Sequence, residues 1–110
     1  LFLWSDSVNK DNVVEVTLET GYIGTSPDNT LISFVSSKDS RDIEYNLNFL
    51  NSAKIENNDY DIMGGKYLLI TYIKNDNSKY SIRINNSFVH VDNTSFKITS
   101  ENLPKILYNE

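Results

Sequence analysis

The feature that most constrains the fold is a strict alternation of apolar and polar side chains in short segments. In residues 12–20, Val14, Val16 and Leu18 alternate with acidic and hydroxyl side chains. Successive side chains of a strand point to opposite faces, so a period of two is typical of a strand that is buried on one side. The segment therefore predicts a half-buried strand, with the second face of its sheet in water.

Further segments of the same kind follow along the chain and predict an antiparallel sheet of about five strands. The turns between them contain Asn, Asp, Gly and Pro, which favour reversals of the chain. The predicted strands after the first are 31–37, 66–73, 80–84 and 88–91, with 93–100 as a short addition. The polar residues expected on the wet face are Glu15, Thr17, Glu19, Ser81, Arg83 and Asn85. The first strand, 13–19, is also a candidate sheet edge that could pair with another chain.

Residues 40–53 change to a helical period. Ile43, Leu47 and Leu50 recur at the spacing that forms one face of a helix. Asp39 or Ser40 can cap its first turn, and acidic residues are stabilised there by the helix dipole. A second, short helix is predicted over residues 102–108, where Pro104 is tolerated in a first turn.

The order of these elements predicts an α+β fold, in which one main helix at about 40–53 and a short C-terminal helix pack on one face of the antiparallel sheet. The predicted organisation is an N-terminal segment over residues 1–12 and a single domain over residues 13–110. Within the segment, the apolar residues 1–4 leave two alternatives: they pack against the edge of the domain, or they belong to an anchor or signal region that lies upstream.

Charge and cysteine content exclude several classes of function. The formal net charge is −5, which gives no attraction to the phosphates of nucleic acid or to anionic lipid headgroups. The chain has no cysteine, which removes disulfides, thiol catalysis and thiolate metal sites. We therefore expect no nucleic-acid partner, and membrane contact only through an upstream lipid anchor.

The single histidine, His90, is the first candidate for catalysis. A histidine acts as a general base when a carboxylate orients it and a nucleophile lies nearby. The sequence contains neither the GxSxG nor the HExxH pattern, and it has no second histidine for a metal pair. We interpret His90 as a residue of the sheet surface or edge and predict no catalytic residue.

Two groups of carboxylates are candidate sites. Asp39, Asp42 and Glu44 are expected at the start of the helix, and a second acidic group, Glu56, Asp59 and Asp61, falls in one predicted loop. Paired carboxylates can hydrolyse glycosides, but only across an enclosed cleft, for which a domain of 110 residues has little room.

The second acidic group, over residues 56–61, also resembles a calcium loop. The pattern fails where an EF-hand needs Gly and Glu, since the chain has Ile62 and Leu68 there. A loose calcium site is the alternative for this loop. Otherwise we predict that the protein binds no metal and no cofactor.

Five tyrosines could form a face that binds a sugar or a peptide, because the ring combines a large apolar area with a hydroxyl group. Tyrosine is also favoured inside strands, and packing within the sheet is the preferred interpretation. These tyrosines are Tyr60, Tyr67, Tyr72, Tyr80 and Tyr108.

Three stretches carry a resemblance to a known group of proteins: residues 31–55, 64–84 and 96–109. They resemble small lipoprotein-type domains of unknown function in bacilli and clostridia. In these domains a strand is followed by a helix that ends in a Leu-Asn-x-Ala-Lys phrase, then by a strand pair with a "KNDNSKY"-like hairpin, and a C-terminal "ITSENLPKIL"-like helix ends the chain. The resemblance implies an α+β fold and a location at the cell envelope, and it carries no catalytic residues to transfer.

From these observations we expect a non-enzymatic, extracytoplasmic domain of a Gram-positive bacterium that has a binding or structural role at the cell envelope. Its partner would be a protein or a cell-wall ligand. The alternative is a cytoplasmic immunity- or inhibitor-type protein that blocks a basic partner by electrostatic complementarity. A small enzyme using carboxylates is the third hypothesis, and it requires a cleft shared by Asp59, Asp61 and an acid of the helix start.

Overall fold

The computed structural model describes residues 8–23, 30–52, 54–57, 65–85, 88–91, 94–99 and 103–106. Within these residues it contains one helix and seven strands. In chain order they are β1 (Val13–Ile23), β2 (Thr30–Ser37), α1 (Ser40–Ser52), β3 (Lys54–Asn57), β4 (Gly65–Lys74), β5 (Lys79–Asn85), β6 (Phe88–Val91) and β7 (Thr94–Thr99).

The strands form one antiparallel sheet in the order β2-β1-β4-β5-β6-β7-β3. The predicted α+β class, with an antiparallel sheet and a main helix, is confirmed. The predicted number of about five strands is not shown, because β7 is a full member of the sheet and β3 adds a strand that was not predicted. β3 is only four residues long, and its pairing with β7 joins segments about forty residues apart, which local periodicity does not reveal.

The helix confirms the predicted segment, ending at Ser52 instead of about 53. Asp39 is its cap: the Asp39 carboxylate accepts the backbone N–H of Arg41 at 2.9 Å, and the Asp39 carbonyl accepts that of Ile43 at 3.1 Å. The Arg41 guanidinium also binds the Asp39 carboxylate, at 3.0 and 2.8 Å. These bonds favour the charged form and lower the pKa of Asp39 to about 2.

The hydrophobic core lies between the helix and one face of the sheet. The ladder places Val16 opposite Tyr72 and Ile70 opposite Ile82, so apolar side chains form continuous rows across three strands. The buried apolar residues of this core are Val8, Val13, Val16, Leu18, Ile43, Leu47, Phe49, Leu50, Ile70, Tyr72, Ile82 and Ile84.

The second face of the sheet is less open than the alternation suggested. Ser81 is exposed, and Glu15, Glu19 and Arg83 are half-buried. Thr17 and Asn85, which were expected in water, are buried. The prediction is wrong for these two residues, because polar character alone does not show what covers a strand.

A buried amide connects the helix to the C-terminal part of the chain. The Asn46 side chain is fully buried, donates from Nδ2 to the carbonyls of Asp42 and Lys105 at 2.9 Å, and accepts the Lys105 N–H at Oδ1 at 3.0 Å. The Tyr72 hydroxyl donates to the Asn46 backbone carbonyl at 2.8 Å, which links the same point of the helix to β4.

This amide explains why the predicted C-terminal helix over 102–108 is not shown. Residues 103–106, the described part of that segment, have no helical structure. Both backbone polar groups of Lys105 are bound by Asn46, as a neighbouring strand would bind them. A lone helix of two turns is marginal in water, so this docking decides the conformation.

We predict that Asn46→Ala lowers the free energy of unfolding by about 2–3 kcal/mol, because it leaves buried polar groups without partners. Urea denaturation of the 110-residue chain would measure the change. The control is Asn48→Ala, an exposed position of the same helix with the same gain in helix propensity. Equal effects of the two substitutions would contradict the structural role of the Asn46 amide.

Candidate functional site

His90 lies in β6, where its backbone pairs with Arg83 of β5 and with Ser95 of β7. β6 lies inside the sheet, with a strand on either side. His90 is therefore a sheet residue, as interpreted from the sequence, but it does not lie at a sheet edge. The His90 side chain lies outside the described part of the structure.

The acidic residues of the helix start have separate environments. Asp39 is bound to Arg41, and Glu44 is exposed. Asp42 is fully buried and accepts a hydrogen bond from the Ser37 hydroxyl at 2.5 Å, which joins α1 to β2. Asp39 therefore caps the helix, Glu44 faces the solvent and Asp42 makes a buried hydrogen bond. The three acids do not form one site.

The second acidic group is only partly described. Glu56 lies in β3, where its backbone pairs with Lys97, while Asp59 and Asp61 lie outside the described residues, as does the proposed calcium loop. In the part of the chain that is described, no group of three or more His, Cys, Asp or Glu residues is arranged to hold a metal ion.

The described tyrosines do not share a binding face. Tyr72 and Tyr80 pair across β4 and β5 on the face that carries the helix, whereas Tyr67 belongs to the second face. Tyr72 is fully buried, and burial raises the pKa of its hydroxyl well above the ordinary value. Tyr67, Tyr72 and Tyr80 therefore pack within the sheet, which was the preferred interpretation. Tyr60 and Tyr108 lie outside the described residues.

A surface pocket of about 420 Å³ lies between the N-terminal segment and the helix. One basic and one acidic side chain lie among amide and aliphatic groups, a mixture that favours no single class of ligand. The lining residues are Val8, Asn9, Lys10, Glu44, Leu47, Asn48 and Asn51.

A polar pair occupies the second face of the sheet. The hydroxyl of buried Tyr67 donates to a carboxylate oxygen of Glu19 at 2.8 Å. This bond and the negative charge of Glu19 raise the pKa of Tyr67 above 10.0, while the nearby Arg83 charge acts in the opposite direction. The arrangement holds the phenol neutral, which suits a structural link between β1 and β4 better than proton transfer at neutral pH.

The most unusual surface is the sheet edge formed by β2. Ile32 is 52% exposed, Phe34 56% and Val35 40%. Phe34 pairs with Glu19 and therefore belongs to the second face, whereas Val35 pairs with Leu18 and belongs to the helix face. The strand thus exposes apolar side chains on both faces of its outer edge, where the described residues supply no neighbouring strand.

The two edges of the sheet differ in their protection against pairing. β3 has four residues and includes Lys54 and Glu56, and short or charged edges discourage the addition of a strand. β2 has eight residues without a charge or a proline, and one irregularity near Ile32 is the sole interruption of its register with β1. An edge of this composition is suited to pairing with another strand.

The sequence prediction placed the candidate edge at 13–19, and the structure corrects this. β1 lies between β2 and β4, and so its backbone is paired on both sides. The signal for the true edge was present in residues 30–37, which lack the polar alternation of β1.

No protein-family model matches the chain, and neither the curated proteins nor the solved structures contain a significant match. No helix among the described residues has the length and apolar character needed to cross a membrane.

We predict that Tyr67→Phe lowers the free energy of unfolding by about 1 kcal/mol below pH 10, since it removes the bond to Glu19. The folded-state pKa of Tyr67 is raised, so this stabilisation is complete below the unfolded pKa of about 10 and is lost as the pH rises through the folded pKa. The difference between wild type and variant should therefore narrow in alkali.

Urea denaturation at a series of pH values would measure this difference. Tyr22→Phe is the control, because Tyr22 lies in the same strand as Glu19 and is 48% exposed. A Tyr67→Phe effect that is no larger than the control, or that grows in alkali, would contradict the assigned bond.

Proposed function

We propose that this chain is a non-enzymatic binding domain that acts outside the cytoplasm, at the cell envelope of a Gram-positive bacterium, and that β2 is its binding edge. The observation that carries the proposal is the uncharged strand β2, in which Ile32, Phe34 and Val35 are exposed at an edge that no other described strand covers. Exposed apolar edges of this kind are rare in proteins that work alone, because they invite pairing.

The proposed mode of binding is the addition of a strand. An incoming segment would bind the outer backbone groups of β2 by main-chain hydrogen bonds, which supply affinity. Its side chains would alternate between the two faces and meet Phe34 on one side and Val35 on the other. A protein partner with an extended apolar segment fits this edge better than a polysaccharide of the cell wall.

The non-enzymatic part of the proposal is supported by how the described acids are used. The Asp39 carboxylate is engaged by Arg41, and that of Asp42 is buried against Ser37. Glu19 accepts the Tyr67 hydroxyl. Each of these three acids has a structural partner, and the third hypothesis, a carboxylate enzyme, therefore loses the buried Asp42 as its acid of the helix start.

The envelope location is supported by the resemblance of residues 31–55, 64–84 and 96–109 to lipoprotein-type domains. In this proposal a lipid anchor upstream of the domain would supply the contact with the membrane. The domain would then be presented at the surface with β2 available to its partner.

The alternative, a cytoplasmic immunity- or inhibitor-type protein, is favoured by the net charge of −5. A basic partner would be attracted by the acidic surface and would bind less tightly as salt is added. Binding through β2 should respond little to salt, because the strand has no charged residue. Salt dependence therefore separates the two hypotheses once a partner is in hand.

The first test is to fractionate cells of the native host and to identify the mature N-terminus of the full-length protein by mass spectrometry. We expect the protein in the envelope fraction with a lipidated or signal-cleaved N-terminus. An unprocessed protein in the cytoplasmic fraction would refute the envelope proposal and make a co-encoded basic toxin or enzyme the first partner to seek.

A further inference from the structure

We infer that the partner of β2 is a second copy of this chain, with the two β2 strands paired antiparallel about a two-fold axis. The inference rests on the proposed use of β2 as a binding edge, but it does not depend on the cellular location. It names the occupant of the edge, and three properties of the molecule favour this occupant over a strand of another protein.

The first property is charge. A chain with a net charge of −5 repels its own copy wherever charged surfaces meet. β2 is uncharged along all eight residues, so pairing through it brings no like charges directly opposite each other. Of the ionic groups that follow its C-terminal end, Asp39 and Arg41 neutralise each other in a salt bridge of 2.8 Å, and exposed Lys38 has a charge opposite in sign to the net charge of the chain.

The second property is self-complementarity. In an antiparallel pair of identical strands, each residue at position i meets the residue symmetric to it about the two-fold axis. The exposed residues 32–36 lie in the middle of β2, with Phe34 on one face of the sheet and Val35 on the other. Because apolar groups are exposed on both faces, the two-fold pairing would cover apolar surface on both sides of the joined sheets.

The third property is closure. A two-fold contact uses the same edge of both copies and leaves the β3 edges at the two ends of the combined sheet. The sequence of β3, with Lys54 and Glu56 in four residues, discourages further pairing. The geometry therefore points to a closed dimer and not to an open, growing fibre.

The test is to measure the molar mass of the 110-residue chain by analytical ultracentrifugation at protein concentrations from about 1 μM to 1 mM. This range covers the dissociation constants of dimers of modest affinity. We expect a concentration-dependent dimer that Phe34→Lys converts to monomer, because each copy would then bring a charge into the otherwise uncharged pair of edge strands. Leu103→Lys is the matched control: Leu103 is 64% exposed, lies outside the sheet, and its substitution should leave the dimer intact.

Cysteine cross-linking gives a second readout that does not rely on a charge in the strand. The chain has no cysteine, so each single-cysteine variant has one thiol. Facing residues of an antiparallel pair bring their Cα atoms within the distance that a disulfide spans. Among Ser33→Cys, Phe34→Cys, Val35→Cys and Ser36→Cys, we expect the one nearest the two-fold axis to form the disulfide dimer fastest, with Leu103→Cys well behind.

The outcomes separate the inference from the proposed function. A chain that stays monomeric to about 1 mM, or a dimer that survives Phe34→Lys, would overturn the inference. Cross-linking of Leu103→Cys as fast as of the β2 variants would do the same. None of these results tests the proposed location at the cell envelope, which depends on cell fractionation and on the mature N-terminus. A cytoplasmic protein that dimerises through β2 would refute the proposed location and leave the dimer intact.

Discussion

The Asn46 side chain lies where the helix meets the C-terminal segment, and the rest of the arrangement depends on its hydrogen bonds. Its amide binds both backbone groups of Lys105, and the backbone carbonyl of Asn46 accepts the Tyr72 hydroxyl from β4. The amide is fully buried, the Tyr72 bond is buried and the two bonds to Lys105 are partly buried, so losing them would leave buried polar groups without partners. One residue thereby fixes the position of α1 relative to both the sheet and the end of the chain.

The placement of the helix in turn decides which parts of the sheet are covered. The Ser37 hydroxyl binds the buried Asp42 carboxylate and ties the end of β2 to the first turn of α1. The helix then lies closest to β1, its core includes side chains of β4 and β5, and the middle of β2 stays exposed. The exposed edge is thus a consequence of how the core is assembled, and the proposed binding role of β2 follows from it.

The pattern of apolar and polar side chains was sufficient to predict the elements that have a strong local period. The alternation around Val16 and Leu18 predicted β1, and the spacing of Ile43, Leu47 and Leu50 predicted α1 within one residue at its end. Prediction failed where partners are distant in sequence. β3 pairs with β7, and residues 103–106 dock on the helix instead of forming one, since in both cases the partner outweighs local propensity.

For the candidate site, the sequence by itself determined the chemistry available: an acidic chain without cysteine, with one histidine and with one long uncharged strand at residues 30–37. Only the tertiary structure decided where these groups lie. It placed β1 between two strands, β2 at the outside and His90 within the sheet. The physical reason is that strand order is set by long-range hydrogen bonds and by the face that the helix covers, and neither leaves a period in the sequence.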